Sequence, residues 1–137
     1  MAKADRSSAT FRIFGDDLNP DEISKLLGCE PTQSQTKGQV FTAKSSDKQR
    51  TAKTGMWQLS ATECEPENLD AQIKEIFQKL PDDEDFWNQL AARYGLDIFC
   101  GVFVNVSNGV TWIAPESLQI LSSRKVILKL DIYAGEV

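Results

Sequence analysis

Leu96-Asp97-Ile98-Phe99-Cys100-Gly101-Val102-Phe103-Val104-Asn105-Val106 is the stretch on which the fold turns. A strand wetted on one face alternates apolar and polar residues, because successive side chains point to opposite faces. Here Val102, Phe103 and Val104 are consecutive and apolar. Both faces should therefore meet protein, and the segment reads as a central strand that asks for cover on each side.

Working outward toward the C-terminus, Ser107-Asn108-Gly109 reads as a turn. Pro115-Glu116 opens a short helix through Leu118, Ile120 and Leu121. The last strand, Lys125 to Tyr133, sets Val126, Leu128, Leu130 and Ile132 against Lys125, Lys129 and Asp131. Toward the N-terminus, Phe86, Leu90 and Tyr94 fall at four-residue spacing beside Trp87 and Ala91, a helix closed by Gly95. Before it, Leu69, Ile73, Ile76, Phe77 and Leu80 form the apolar stripe of an amphipathic helix stopped by Pro81. Gly55 to Ala61 alternates as a strand, with Trp57 and Leu59 on one face.

The first structured unit is the strand Thr10 to Phe14, ended by Gly15. In GDDLNPDEISKLLG (15–28), Asn19 suits a helix N-cap, Pro20 the first turn and Gly28 a left-handed stop. Asp21 and Glu22 stand where the unpaired N–H groups of a helix start favour negative charge. The acids of this stretch do not match a calcium loop, which needs glycine at its sixth and glutamate at its twelfth position.

In order, the elements run strand, helix, strand, two helices, strand, helix, strand. The expected fold class is α+β: a four-stranded, mainly antiparallel sheet of ferredoxin-like type made of two strand-helix-strand units, with an inserted helical hairpin. The similar plan of the first and last thirds suggests a duplication at the level of architecture. Residues 1–137 read as a single domain, with 1–8 a disordered tail and 37–54 a mobile basic loop. Between Lys37 and Lys53, five basic residues face Asp47 alone, in a Ser-, Thr- and Gln-rich setting.

Composition excludes much chemistry. With 41% hydrophobic and 26% charged residues the chain is an ordinary globular one. It contains no histidine, which removes the Ser-His-Asp triad, the Cys-His pair and the HExxH zinc helix. Cys29, Cys64 and Cys100 form no CxxC pair and read as idle thiols. The expectation is a non-enzyme without cofactor or metal. No apolar run reaches the roughly 18 residues of a membrane span, and the start lacks an apolar signal core. A cytoplasmic location follows as expectation. A net charge of −5 disfavours nucleic acid as a partner.

The candidate contact residues are Asp16 and Asp17, which precede the first helix cap, the acidic run Asp82, Asp83 and Glu84, and Trp112 beside the Gly109 turn. Each acidic group has a bland reading as part of a helix start. A second candidate is the sheet face carrying Arg12, Phe14, Phe99, Phe103, Lys129 and Tyr133, since basic and aromatic groups on an open sheet stack RNA bases. Overall acidity favours the other reading of that face: the inserted helices, through Phe77, Phe86 and Trp87, cover it as a second core.

The chain also resembles an uncharacterised bacterial family catalogued as domain of unknown function 4279. The likeness lies in FRIFGDDLNPDEISKLLGCEPT, Lys37-Gly38, GMWQLS, Leu69-Asp70 and a closing LDIY. None is a catalytic signature, so the resemblance implies one domain and no activity. The leading functional expectation is a protein-interaction module, with immunity-like binding of a basic partner as one form. The alternative is a small-ligand-binding or regulatory domain.

Overall fold

In the computed structural model, residues 3–105 and 107–135 are described. The chain begins with β1 (Arg6–Gly15) and α1 (Pro20–Leu27), followed by the short strands β2 (Gln33–Gln35), β3 (Val40–Thr42) and β4 (Gln49–Thr51). Next come β5 (Gly55–Ser60), α2 (Leu69–Phe77), α3 (Glu84–Arg93) and β6 (Gly95–Val104). The chain finishes with α4 (Pro115–Ser123) and β7 (Ile127–Ala134). The expected extension of the central strand to Val106 falls on a residue outside the described ones.

Local chemistry explains the helix boundaries. Asn19 Oδ1 accepts from the backbone N–H groups of Asp21 and Glu22 at 3.0 and 3.4 Å, and Gly28 ends α1 at φ 66°. Side chains of α2 do the same for other elements. Asp70 accepts from the Ala114 N–H at 2.9 Å and the Ser117 hydroxyl at 2.6 Å, capping α4, whose own Ala114 has no capping side chain. Gln72, fully buried, receives the Ser7 hydroxyl at 2.7 Å and donates to the carbonyls of Ser7 and Thr62, both at 2.9 Å. This ties α2 to β1 and leaves none of the three groups unsatisfied.

The main sheet has five strands in the order β2-β5-β1-β6-β7. β1 lies antiparallel to both β5 and β6, and β6 lies parallel to β7. This is α+β, but it departs from the ferredoxin-like expectation. In that arrangement the strands of a unit are split by a strand of the other unit. Here β1 and β5 are direct antiparallel neighbours, because β5 starts opposite the end of β1, at Gly15–Gly55. The whole excursion through α1, β2 and the β3–β4 hairpin leaves and returns at one end of the sheet. The C-terminal unit β6-α4-β7 is instead a parallel crossover. The two halves thus differ in strand direction.

Two further expectations change. Residues 3 to 8 are part of the fold and not a disordered tail: Ala4 and Ser7 are buried, and the Ala4 and Ser7 N–H groups donate to the Val110 and Cys64 carbonyls. The hydrophobic contacts of Ala4 and the β1 ladder hold this start down. The basic segment 37–54 contains the β3–β4 hairpin, with Ala52 buried and the Gly38 N–H donating to its carbonyl at 2.9 Å.

The core lies on one side of the sheet. Phe11 of β1 meets Trp57 of β5, Phe77 of α2 and Trp87 of α3 at centroid distances of 6.4, 5.2 and 5.8 Å. Trp57 also donates its indole N–H to Ser24 of α1 at 3.1 Å. From α4, buried Leu121 joins the same cluster, and Arg124 just beyond it reaches over Phe77 and Trp87. The four helices described all pack on this face. The expected second layer, in which Phe77 and Trp87 cover the opposite face, is therefore overturned.

Candidate functional site

The uncovered face is built by the other set of alternate residues. Register aligns Arg6 with Phe103 and Tyr133, Thr10 with Phe99 and Lys129, and Arg12 with Asp97 and Ile127. Rows of side chains thus cross β1, β6 and β7. Phe103 and Tyr133 stack at 4.7 Å with planes 5° apart, and the Arg6 guanidinium sits 4.0 Å from the Phe103 centroid. Arg12 lies 4.6 Å over Phe99, and the Lys129 ammonium 5.8 Å from Phe14.

This packing supplies the cover that a helix layer was expected to give. The Phe14 ring lies over Gly95, where it leaves no room for a Cβ. Phe103 leans over Gly101, whose added Cβ would come within 3.2 Å of that ring. The guanidinium groups of Arg6 and Arg12 and the Lys129 ammonium then lie over ring faces as cation–π cover.

Beneath the cations lies Asp97, with no exposed side-chain surface. Arg12 Nε and Nη2 donate to its Oδ1 and Oδ2 at 2.7 and 2.8 Å, and Lys129 Nζ sits 3.0 Å from Oδ2. The paired geometry is the strong two-pronged form of an arginine–carboxylate contact. Burial alone would push the Asp97 carboxyl up, but the hydrogen bonds from Arg12 and Lys129 outweigh it and hold it below the usual range. In turn the Asp97 hydrogen bond raises the Arg12 guanidinium, against the effect of burial. Asp97 is thus ionised and occupied by donors on both oxygens, a poor base and a firm anchor. Across the sheet, burial pushes the Cys100 thiol up to about 12, so it stays protonated and inert at neutral pH.

The sequence-predicted residues lie apart from this face and from one another. Asp16 is 3.1 Å from Lys37, and that contact, with a hydrogen bond from Thr54, lowers its pKa. Asp17 meets Arg93 at 3.4 Å. Together they tie the β1–α1 turn to the 37–54 segment and to the end of α3. Asp83 caps α3, accepting from the Asp85 N–H at 3.2 Å, while Asp82 and Glu84 are exposed beside it. Trp112 is 51% exposed, with the Lys3 ammonium 4.4 Å from its ring. Asp97 itself was missed as a site residue, although a carboxylate within an apolar strand was a visible signal.

Among the described residues, no cluster of three or more His, Cys, Asp or Glu side chains gathers as a metal site, and no helix is long and apolar enough to cross a membrane. Surface depressions, such as the one between Asp16, Asn19, Ser34 and Gln39, are open to solvent and not enclosed.

One helical layer on a mixed sheet, with the other face roofed by its own arginines and rings, defines an α+β domain with an uncovered sheet surface. The chain belongs to the family described as domain of unknown function (DUF4279), which matches residues 5–135. No curated protein and no solved structure matches it.

Proposed function

We propose that the chain is a non-enzymatic protein-interaction module whose working surface is the uncovered sheet face. The observation that carries this reading is that the described helices crowd onto one face, leaving Arg6, Arg12, Lys129, Phe99, Phe103 and Tyr133 together on the other. Interface cores favour such aromatic and arginine side chains, which offer large contact area with little flexibility to lose. Asp97 holds two of the cations in place before any partner arrives, which lowers the ordering cost of binding.

Ring orientation favours protein over single-stranded RNA. The Phe103–Tyr133 separation of 4.7 Å equals the spacing between neighbouring strands. The parallel rings therefore stand upright, and both faces of Phe103 are taken, one by Tyr133 and one by Arg6, while Tyr133 keeps its outer face at the sheet edge. Base stacking needs free ring faces. The partner surface that fits is apolar, with carboxylates to meet the cations.

A second reading rests on the exposed acids Asp82, Glu84 and Asp85 at the start of α3. They would steer a basic partner, as an immunity-like role requires. Affinity capture from the organism of origin separates the two. Loss of the captured protein with Phe103→Ala/Lys129→Ala supports the sheet face; loss only with Asp82→Ala/Glu84→Ala supports the acidic turn. Failure to capture any protein with the unaltered chain overturns both.

A further inference from the structure

The outer edge of β7 is unlike the rest of the surface. Among the described residues, β7 is the last strand of the sheet and pairs with β6 alone. It exposes Ile127, Leu130, Ile132 and Tyr133, at 58, 46, 65 and 48%. Helix α4 leaves Leu130 and Ile132 uncovered on the helical side, while Ile127 and Tyr133 lie on the open side. Proteins usually blunt such an edge with proline, a bulge or like charges. β7 spans eight residues with no proline, and its two charges, Lys129 and Asp131, are opposite.

We infer that β7 is a self-association edge: two copies of the chain pair β7 with β7 antiparallel about a two-fold axis at Leu130, joining their sheets into one.

Three observations support a second copy as the occupant. First, the backbone is in phase. The Gly135 N–H donates to Val104 on β6, and groups alternate in direction along a strand. The N–H and C=O of Leu128, Leu130 and Ile132 therefore point to the free edge, where an antiparallel neighbour bonds them in pairs. Second, the segment ILKLDIY, residues 127 to 133, is self-complementary about its centre. Lys129 falls opposite the second copy's Asp131, Leu128 opposite Ile132, and Ile127 opposite Tyr133. Opposite charges and apolar pairs directly across strands are favourable. Third, neighbouring registers are penalised. An axis at Lys129 sets that lysine against its own copy, and one at Asp131 sets two carboxylates together. A foreign strand would require no such symmetry, whereas an isologous interface does. The axis also keeps both open faces on one side, so the proposed binding surface is doubled. The pairing itself stands on β7 alone and does not depend on that function.

Sedimentation equilibrium of the full chain tests the proposal. The expected species is a dimer of twice 15.3 kDa at micromolar concentration. Leu130→Pro removes only an outward N–H, which an edge strand tolerates, and should give a folded monomer by circular dichroism. Asp131→Lys should weaken association at least tenfold without touching the backbone. In a Cys29→Ser/Cys64→Ser background, Leu130→Cys should form an intermolecular disulfide on mild oxidation, because directly opposed residues bring their Cα atoms to about 5.5 Å. Ile132→Cys should not. A monomer at several hundred micromolar, a dimer unaffected by Asp131→Lys, or faster crosslinking at position 132 than at 130 would each overturn the proposal.

Discussion

The two faces of the sheet are carried by the same strands yet solve burial differently. On the helical face Phe11, Ile13, Trp57 and Ile98 are fully buried, and Phe11 meets three rings, those of Trp57, Phe77 and Trp87. On the open face Asp97 is equally buried, but its cover is Arg12 and Lys129, themselves partly in water. One face excludes water with apolar volume and the other with charge pairs laid over rings. The difference teaches that a strand can be apolar on both sides without lying between two layers.

The comparison breaks most sharply at Trp87. Its ring meets Phe11, Phe77 and Phe86, and its indole N–H donates to the Pro81 carbonyl at 2.7 Å. Trp87→Ala should cost about 3–5 kcal/mol, read from urea unfolding with intrinsic tryptophan or circular dichroism signals. A loss below about 1 kcal/mol would mean that the helical face is not the main core.

Asp97→Ala should come next, at about 2–3 kcal/mol. That is below the value for a wholly buried pair, because both cationic partners regain water when released. The pH dependence sharpens this. The folded Asp97 pKa lies below its unfolded value, so its stabilising contribution is present above about pH 4 and lost as pH falls through the folded value. The stability gap between wild type and Asp97→Ala, measured by urea melts from pH 7 to pH 2, should therefore narrow on acidification. A gap that widened would reverse the sign assigned to Asp97.

How much of this was legible follows from how the central strand is read. Taken as a run, Val102, Phe103 and Val104 announce burial on both faces and call for two helical layers. Sorted by alternate positions, Leu96, Ile98, Cys100, Val102 and Val104 form a pure apolar stripe, while Gly95, Asp97, Phe99, Gly101 and Phe103 do not. The second set is a face with room over its glycines and a charge at its centre, and the rings fill the room. The eight long elements were visible from periodicity and from caps such as Asn19 and Gly28. The β3–β4 hairpin was not, since its strands have three residues each and are largely exposed, leaving no alternation to read. Strand direction was equally hidden: the segments β1-α1-β5 and β6-α4-β7 have one pattern, and only the long excursion after α1 turns the first pair antiparallel.

The caps give a smaller effect on the helical side. Asn19→Ala removes the acceptor for two N–H groups at the start of α1 and should lower stability by about 1 kcal/mol in thermal or urea unfolding. An unchanged midpoint would mean that water replaces the cap without loss.

The smallest stability effect should fall on the open face, at Phe103. Its ring is held by Tyr133 on one side and Arg6 on the other, both of which turn to solvent when the ring is removed. Among the described residues no helix packs on it, so no enclosed cavity is left for the fold to carry, and the loss reduces to one stacked pair, the Arg6 contact and the cover over Gly101. Phe103→Ala should therefore cost about 0.5 kcal/mol, under the Asn19 value and well under the Trp87 value. If the Phe103 and Trp87 substitutions cost the same, the open face would be a second core in all but name. If Phe103→Ala folds almost normally, the ring's place on an uncovered surface has to be explained by what the surface meets.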